Sequence, residues 1–514
     1  MRFWVPVVAL AAITAIDPFM GLGTVRFAHL SGFQDDFFYY LTIARNLAEH
    51  GRSTFDGVSL TNGYHPLWTL VLAGLARMAR ADSVAFVGLL SVTVFGLILL
   101  SAGLMRRLAR SLWPDASVGV ELGAFVFVFA YAQLARTGME AIVAIPAMIA
   151  TVVAALACYE ALSARRAFLM ALSCSAAILA RVDLVIFIAV LLIVAAMSGR
   201  DVRRNQAAAA LFRPRVLVSM AIGLLPVVIY LIINETVFGR LMPQSGAAKQ
   251  IRSSVAFNPR VWEFLLLPRS NAREFVYFFL VGTLPFLLTL AGVTSLLFRQ
   301  TSVRVRITML SLGGFMIVYY TLLSFMSDWA LWIWYLYPAV TAAGLATTLL
   351  VSRVERHLPR LIPMAVAAVL VTIAGAGVFT RKPSTNRILA LGVHVEEFAT
   401  THPGTYAMGD MAGAAGFLLP HGLLQLEGLV SPPALLTMIR DESPLDAVFQ
   451  RFGVDYYVTP GRRDENGCVS SEEPTLRLAG EHSHRMRGLL CAAPLATFDE
   501  GRITTFIFDV RRKP

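Results

Sequence analysis

Two adjacent carboxylates, Asp35 and Asp36, head a polar, aromatic-rich stretch in an otherwise apolar chain, QDDFFYYLTIARNLAEHGRSTFDGVSLTNGYHPLW over residues 34–68. A carboxylate placed beside apolar surroundings can serve as a general base, or as an oxygen ligand for a hard cation. The plainer reading of the same pair is a helix cap, since an acid at a helix start is stabilised by the free amides and the dipole there. After the two acids, Phe37, Tyr40, Ala44 and Leu47 recur at helical spacing while Arg45, Asn46 and Glu49 take the other side, which predicts an amphipathic helix.

Further groups of reactive type stand at the ends of apolar runs: Asn62, Tyr64, His65 and Trp68, Glu140 in TGME, Arg181 and Asp183, Arg240 and Lys249 in FGRLMPQSGAAK, then Asp328, Trp332, Trp334 and Tyr335. Ionisable side chains beside long apolar runs are costly to hold, which makes them functional candidates. Each also has a plain reading. Arg181 and Asp183 can simply pair at a helix junction, the tryptophans and Tyr335 can form an interfacial aromatic belt, and His65 before Pro66 can be a helix-start residue. Neither His-x-x-His nor Cys-x-x-Cys spacing occurs, so a transition-metal site is not indicated. Asp35, Asp36 and Glu140 offer the oxygen ligands that Mg²⁺, Mn²⁺ or Ca²⁺ prefer, with Asp36 and Glu140 as the metal candidates. The absence of a P-loop or Rossmann glycine pattern argues against ATP or a nucleotide sugar.

The elements that must position these groups follow from composition. Of 514 residues, 57% are hydrophobic and only 15% charged, and the mean hydropathy is +0.65, which excludes a soluble protein of ordinary composition. The expected fold is a polytopic α-helical membrane protein. Runs of roughly 20 apolar residues predict about eleven spans, near 3–22, 83–105, 116–134, 141–163, 167–180, 183–199, 215–233, 274–298, 305–325, 336–352 and 361–379. The first of these resembles a signal peptide in charge and apolarity, but Asp17-Pro18 interrupts it and no clear cleavage site follows, so a retained span is expected. The run at 66–79 is shorter and is expected to lie at the interface.

With that run not crossing, and the N-terminus inside, the tight arginine clusters all fall on the cytoplasmic side: Arg106/Arg107/Arg110, Arg165/Arg166, Arg200/Arg203/Arg204/Arg213/Arg215, Arg299/Arg304/Arg306 and Arg353/Arg356/Arg360. The net charge of +11 therefore reports topology, not a nucleic-acid partner. The acids, the 23–82 loop and everything after about residue 380 come out on the outer face. There the chain loses its long apolar runs and shows short segments such as VDYYVT (454–459) and ITTFIFDV (503–510), which predict a small extracytoplasmic mixed α/β domain over 380–514 behind a membrane domain over 1–379. Cys468 and Cys491 in that part either form a disulfide, if it lies outside the cytosol, or remain a free buried pair.

The set formed by DDFFYYLTIARNLAEHG, TNGYHPLW, TGME and FGRLMPQSGAAK, in this order and topology, resembles the GT-C superfamily of integral-membrane glycosyltransferases, near the bacterial arabinofuranosyl- and mannosyltransferases. The resemblance covers roughly residues 1–250, with a weaker echo in GDMAGAAGFLLP and LQLEGLVSP. It implies inverting transfer of a sugar from a polyprenyl-phosphate carrier to a glycan, lipid or protein acceptor, on the outer face of a bacterial plasma membrane. It also implies roles: Asp35 as general base with Asp36 as supporting acid or cation ligand, or the two exchanged; Glu140 as the second-loop acid; and Arg181, Arg240 or Lys249 neutralising the departing phosphate. Tyr64, His65, Trp68 and Tyr335 are the remaining substrate-binding candidates. No WWD-type signature occurs, which argues against protein N-glycosylation. The rival readings are a transporter or flippase of a lipid-linked glycan, which would need ionisable groups at mid-membrane and paired interrupted helices, and a non-catalytic assembly subunit whose acids only cap helices.

Overall fold

The computed structural model describes residues 3–80, 82–198, 213–251, 257–266, 276–298, 300–382, 386–419, 422–475, 484–499 and 504–511. Arg200, Arg203, Arg204 and Arg299 of the arginine clusters lie outside them. The helices are α1 (Trp4–Ile16), α2 (Asp35–His50), α3 (Pro66–Ala79), α4 (Ser83–Leu112), α5 (Ser117–Ala135), α6 (Ala141–Glu160), α7 (Ala164–Ala180), α8 (Leu184–Ser198), α9 (Pro214–Phe238), α10 (Gln244–Lys249), α11 (Arg260–Leu266), α12 (Leu284–Ser295), α13 (Val303–Met326), α14 (Tyr337–Ser352), α15 (Ile362–Phe379), α16 (Arg387–Thr401), α17 (Ala412–Leu418), α18 (Pro433–Arg440) and α19 (Leu445–Phe452).

Every apolar run expected to span is helical, but the helices differ in reach. Among the described residues eight are long and apolar enough to cross a membrane: α4, α5, α6, α9, Val276–Ser295, α13, Ile333–Ser352 and α15. The shorter ones are Trp4–Phe19, α7 with 17 residues and α8 with 15. At ~1.5 Å per residue the last two extend about 22–26 Å, less than the ~30 Å of a hydrocarbon core, because the polar Arg181-Val182-Asp183 link ends one and starts the other. The protein is a polytopic α-helical membrane protein with a small C-terminal α/β part.

At 14 residues α3 is too short to cross. Had it crossed, Glu140 would lie on the opposite face from α2. Instead the Tyr40 hydroxyl donates to Glu140 Oε2 at 3.1 Å, so both belong to one face.

The most enclosed of the long helices are α5 and Ile333–Ser352. They approach closely because both carry glycine where they meet: a Cβ at Gly123 would strike the Gly344 carbonyl oxygen, and one at Gly344 would sit 2.8 Å from the Phe127 Cβ. Without a strong apolar drive between helices in lipid, small residues of this kind permit the backbone contact that holds them. The C-terminal end of α5 and the N-terminal end of α14 are thereby brought together, which places Met139 and Glu140 after α5 beside Trp334 and Tyr335 before α14.

In the C-terminal part, β1 (Tyr406–Met408), β2 (Leu423–Gln425), β3 (Tyr456–Gly461), β4 (Val469–Glu473), β5 (Met486–Leu490), β6 (Ala496–Asp499) and β7 (Thr504–Asp509) alternate with α17 to α19. One sheet has the order β2-β1-β3-β7-β6. β1 is parallel to β2 and β3, whereas β7 is antiparallel to β3 and β6. The segments VDYYVT and ITTFIFDV supply the neighbours β3 and β7, paired Tyr456 to Asp509. β4 and β5 form a separate hairpin with Val469 opposite Leu490, a register that brings Cys468 and Cys491 side by side, and they form a disulfide. The apolar core of this part is not confined to it: Tyr39 and Ile43 of α2, Phe55, Ala248 and Trp329 pack with Leu391, Leu424, Leu429 and Tyr457.

Candidate active site

Asp36, in the first turn of α2, faces a cavity lined from four other segments of the chain: Tyr64 and His65, Met139 and Glu140, Ser245 and Lys249 of α10, and Trp334 and Tyr335. Leu429 and Val430 of the C-terminal part close it from above. The Asp36 carboxylate is not taken up by any hydrogen bond or ion pair among the described residues. Burial pushes its pKa up, the Lys249 ammonium pulls it down, and Asp410 and Glu140 add to the rise, leaving it at about 6. Across the cavity, Lys249 Nζ donates to the Tyr335 hydroxyl at 2.6 Å. Burial opposes the lysine charge, but Tyr335 and Asp36 together hold its pKa above the usual range. An acid and a base with free faces thus look into one space.

Behind them lies a second set of charges. Arg181 pairs with Glu140, and it also donates to Asp183 Oδ2 at 2.8 Å and to the Tyr319 hydroxyl at 3.3 Å. Tyr337 donates to Asp183 Oδ1 at 3.1 Å, and the guanidinium lies over the Tyr337 ring at 4.7 Å. The expected pairing of Arg181 with Asp183 is therefore present, but as part of a larger network that also holds Glu140. His65 Nε2 is 3.9 Å from Glu140 Oε1, its buried Nδ1 has no hydrogen-bond partner among the described residues, and burial lowers its pKa to about 4, so the ring is neutral at ordinary pH.

Asp35 points elsewhere. Its two carboxylate oxygens accept from the backbone amides of Gly413 and Ala414, each at 3.0 Å, at the start of α17. Burial raises its pKa to about 7, against the opposing pull of those amides. Asp35 is absent from the cavity lining, and it is Asp36 that faces the space.

Trp68 also stays out of the cavity: fully buried, it donates from Nε1 to the Gly138 carbonyl at 2.8 Å and so fixes the turn that carries Glu140. Arg240, beyond the end of α9, is not among the lining residues either. Of the Asp36–Glu140 cation candidates, Glu140 pairs with Arg181 and accepts from Tyr40, and among the described residues no group of three or more His, Cys, Asp or Glu side chains is placed to hold a metal ion.

Eight lining residues were not among the sequence candidates, and Tyr40, Ile43, Gly63 and Met139 stood only inside the quoted motifs. Tyr39 and Ser245 carried no signal beyond their neighbours, and Leu429 and Val430 stood out only through the LQLEGLVSP resemblance.

On the membrane side an apolar groove of about 780 Å³ runs between α3 and α9, lined by Leu67, Leu70, Leu179, Ile229, Ile233 and Val237 among others. Tyr64 lines both this groove and the cavity, its hydroxyl accepting from Ser53 Oγ at 2.8 Å.

No protein-family model and no curated protein matches the sequence. Among solved structures the chain is similar to ArnT from Cupriavidus metallidurans bound to undecaprenyl phosphate, with 15% identity and a TM-score of 0.46 over 87% of this chain and 79% of that one. It is also similar to the archaeal oligosaccharyltransferase AglB from Archaeoglobus fulgidus, in complex with an inhibitory peptide and a dolichol-phosphate, with 13% identity and a TM-score of 0.47 over 89% of this chain and 69% of that one. What the site can do follows from its own groups.

Proposed function

We propose that this protein is an inverting glycosyltransferase of the GT-C type, moving a sugar from a polyprenyl-phosphate-linked donor to a hydroxyl of a glycan, lipid or protein acceptor. One observation carries the reading: a polar cavity holding Asp36 and Lys249 adjoins, through Tyr64, an apolar groove that opens between helices. A donor with a charged head and a long hydrocarbon tail matches that junction.

In the reaction, Asp36 accepts the proton of the acceptor hydroxyl as its oxygen attacks the anomeric carbon. The bond from that carbon to the phosphate oxygen breaks on the opposite side, and the carrier phosphate leaves with the electron pair. A base is most effective when its pKa lies near the working pH, which favours Asp36 over His65. Lys249 supplies a fixed positive charge where the phosphate charge grows, and such preorganised charge is a large catalytic effect. The metal reading fits the donor set poorly, and no step passes through a cation.

Two independent features favour placing the site on the outer face of a bacterial plasma membrane, with the N-terminus in the cytoplasm. The described members of the arginine clusters lie at the opposite helix ends, and the Cys468–Cys491 disulfide suits an oxidising compartment. The same placement makes residues 380–514 an extracytoplasmic domain behind a membrane domain at 1–379. A cysteine at the exposed Ser470 is expected to react with a membrane-impermeant reagent in intact cells, and protection there overturns the orientation.

To test the activity, purified protein in lipid is incubated with a panel of radiolabelled polyprenyl-phosphate sugars, and release of the carrier is scored. Turnover of at least one donor, lost in Asp36→Asn, is expected. Undiminished turnover in Asp36→Asn sinks the assignment.

A further inference from the structure

Asp35 is held as firmly as Asp36 is free, and the two are consecutive residues on one helix. We propose that Asp35 is a positioning residue: its carboxylate clamps the start of α17 to the head of α2, and this clamp turns Asp36 into the cavity only when the C-terminal part is seated. The inference rests on the reading of Asp36 as the base.

The contact is built from both sides. The amides of Gly413 and Ala414 belong to the first turn of α17, where backbone donors have no partner within the helix, and each donates to a different Asp35 oxygen at 3.0 Å. Position 413 tolerates only glycine, because a Cβ there would collide with the Asp35 carbonyl oxygen and lie 2.8 Å from Oδ1. The same seating lowers the cavity roof. Gln244 donates from its side chain to the carbonyls of Gly428, at 3.2 Å, and Ser431, and a Cβ at Gly63 would strike the Leu429 carbonyl. Leu429 and Val430 are thus held at the cavity by Gln244 and the Gly63 turn, and the C-terminal part that carries them also carries α17.

Neighbouring side chains on a helix are separated by about 100° around its axis, so the rotation of α2 that satisfies Asp35 also fixes the heading of Asp36. A carboxylate lies roughly 5 Å from the axis, so a rotation of about 10° moves it by about 1 Å. A displacement of that size can lower a rate about 100-fold.

The test compares Asp35→Ala, Asp35→Asn, Gly413→Ala, the Asp35→Ala/Gly413→Ala pair and Asp36→Asn, all as full-length protein in lipid. Two readouts are taken: backbone hydrogen exchange over residues 412–418 and 428–431 without substrate, and kcat and KM with the polyprenyl-phosphate sugar that the wild type turns over best. Asp35→Ala and Gly413→Ala are each expected to raise exchange at least ~10-fold in both segments, and to lower kcat about 100-fold with donor KM within about twofold. Their combination is expected to cost no more than either alone, since both break one contact. Asp35→Asn keeps one acceptor and turns an NH₂ against the other amide, so an intermediate loss near tenfold is expected.

Unchanged exchange in Asp35→Ala, unchanged kcat beside an inactive Asp36→Asn, or losses that multiply in the double variant each overturn the clamp. Should Asp35→Ala fail to fold, Asp35→Asn decides by the same exchange and kcat criteria. An active Asp36→Asn removes the catalytic reading instead, while exchange still reports whether the clamp exists.

Discussion

Two charge clusters lie side by side at one end of the helices, and they are built on opposite plans. In the inner one, Glu140, Arg181 and Asp183 saturate each other, with Tyr40, Tyr319 and Tyr337 completing the shell. In the outer one, Asp36 faces open space and, among the described residues, Lys249 touches the Tyr335 hydroxyl and the Trp329 and Tyr335 rings. A buried ionic network pays for desolvation with its own bonds, so the first is a fixture that orients loops. The second keeps unspent charge for a ligand. The same residue types thus mean support in one place and reaction in the other, and burial with partners tells them apart.

Breaking the closed cluster should cause the largest effect. Arg181→Met leaves Glu140 and Asp183 as buried, uncompensated acids, and removal of one partner from such a pair destabilises by about 3–5 kcal/mol. Thermal unfolding in detergent is expected to show the loss, together with poor yield. A variant that melts like the wild type would mean that water reaches this cluster and that the contrast with Asp36 is false.

Lys249→Met acts on the open cluster and should spare stability. It removes the fixed charge at the leaving phosphate, for which a loss of about 100-fold in kcat is expected, within the range seen when one preorganised donor is deleted. A change confined to KM would instead make Lys249 a simple anchor.

The pH dependence sharpens the same pair. Asp36 must be unprotonated to act, and its pKa is raised to about 6, so activity should decline about tenfold per pH unit below that point. Asp35, near 7, titrates alongside it, so the limb belongs to the pair of neighbours. Because the Lys249 charge pulls Asp36 down, the residual activity of Lys249→Met should show its acid limb at higher pH. An unmoved limb separates the two groups.

Much of this was legible in the chain. The apolar runs gave the helices, and the arginine clusters required 66–79 not to cross, which the Tyr40–Glu140 contact requires as well. The order of Asp35 and Asp36 was not legible, because adjacent acids look alike until a partner is known, and the partner of Asp35 is a pair of backbone amides 378 and 379 residues away. Backbone donors leave no mark in a sequence. The same limit hid Leu429 and Val430: apolar residues in a loop do not announce that they will roof a polar cavity. Trp68 erred the other way, since its type suggests a binding surface while its place, wholly buried and bonded to Gly138, makes it part of the frame.

The smallest effect concerns the groove, and it tests whether the open cluster is served by a lipid-linked molecule at all. Ile229 lines the groove opposite Leu67 and Leu70 and is about half exposed, at 48%, so Ile229→Trp adds bulk there without disturbing an enclosed core. A tail displaced from part of its contact surface should lose on the order of 1.4 kcal/mol of binding, a tenfold rise in donor KM, with kcat unchanged because Asp36 and Lys249 are untouched. A donor with a chain too short to enter the groove supplies the control: its KM should be high in both proteins and equal between them. If Ile229→Trp weakens long and short donors alike, the added ring is acting through Tyr64 on the cavity, and the division between a groove that holds the tail and a cavity that holds the charge fails.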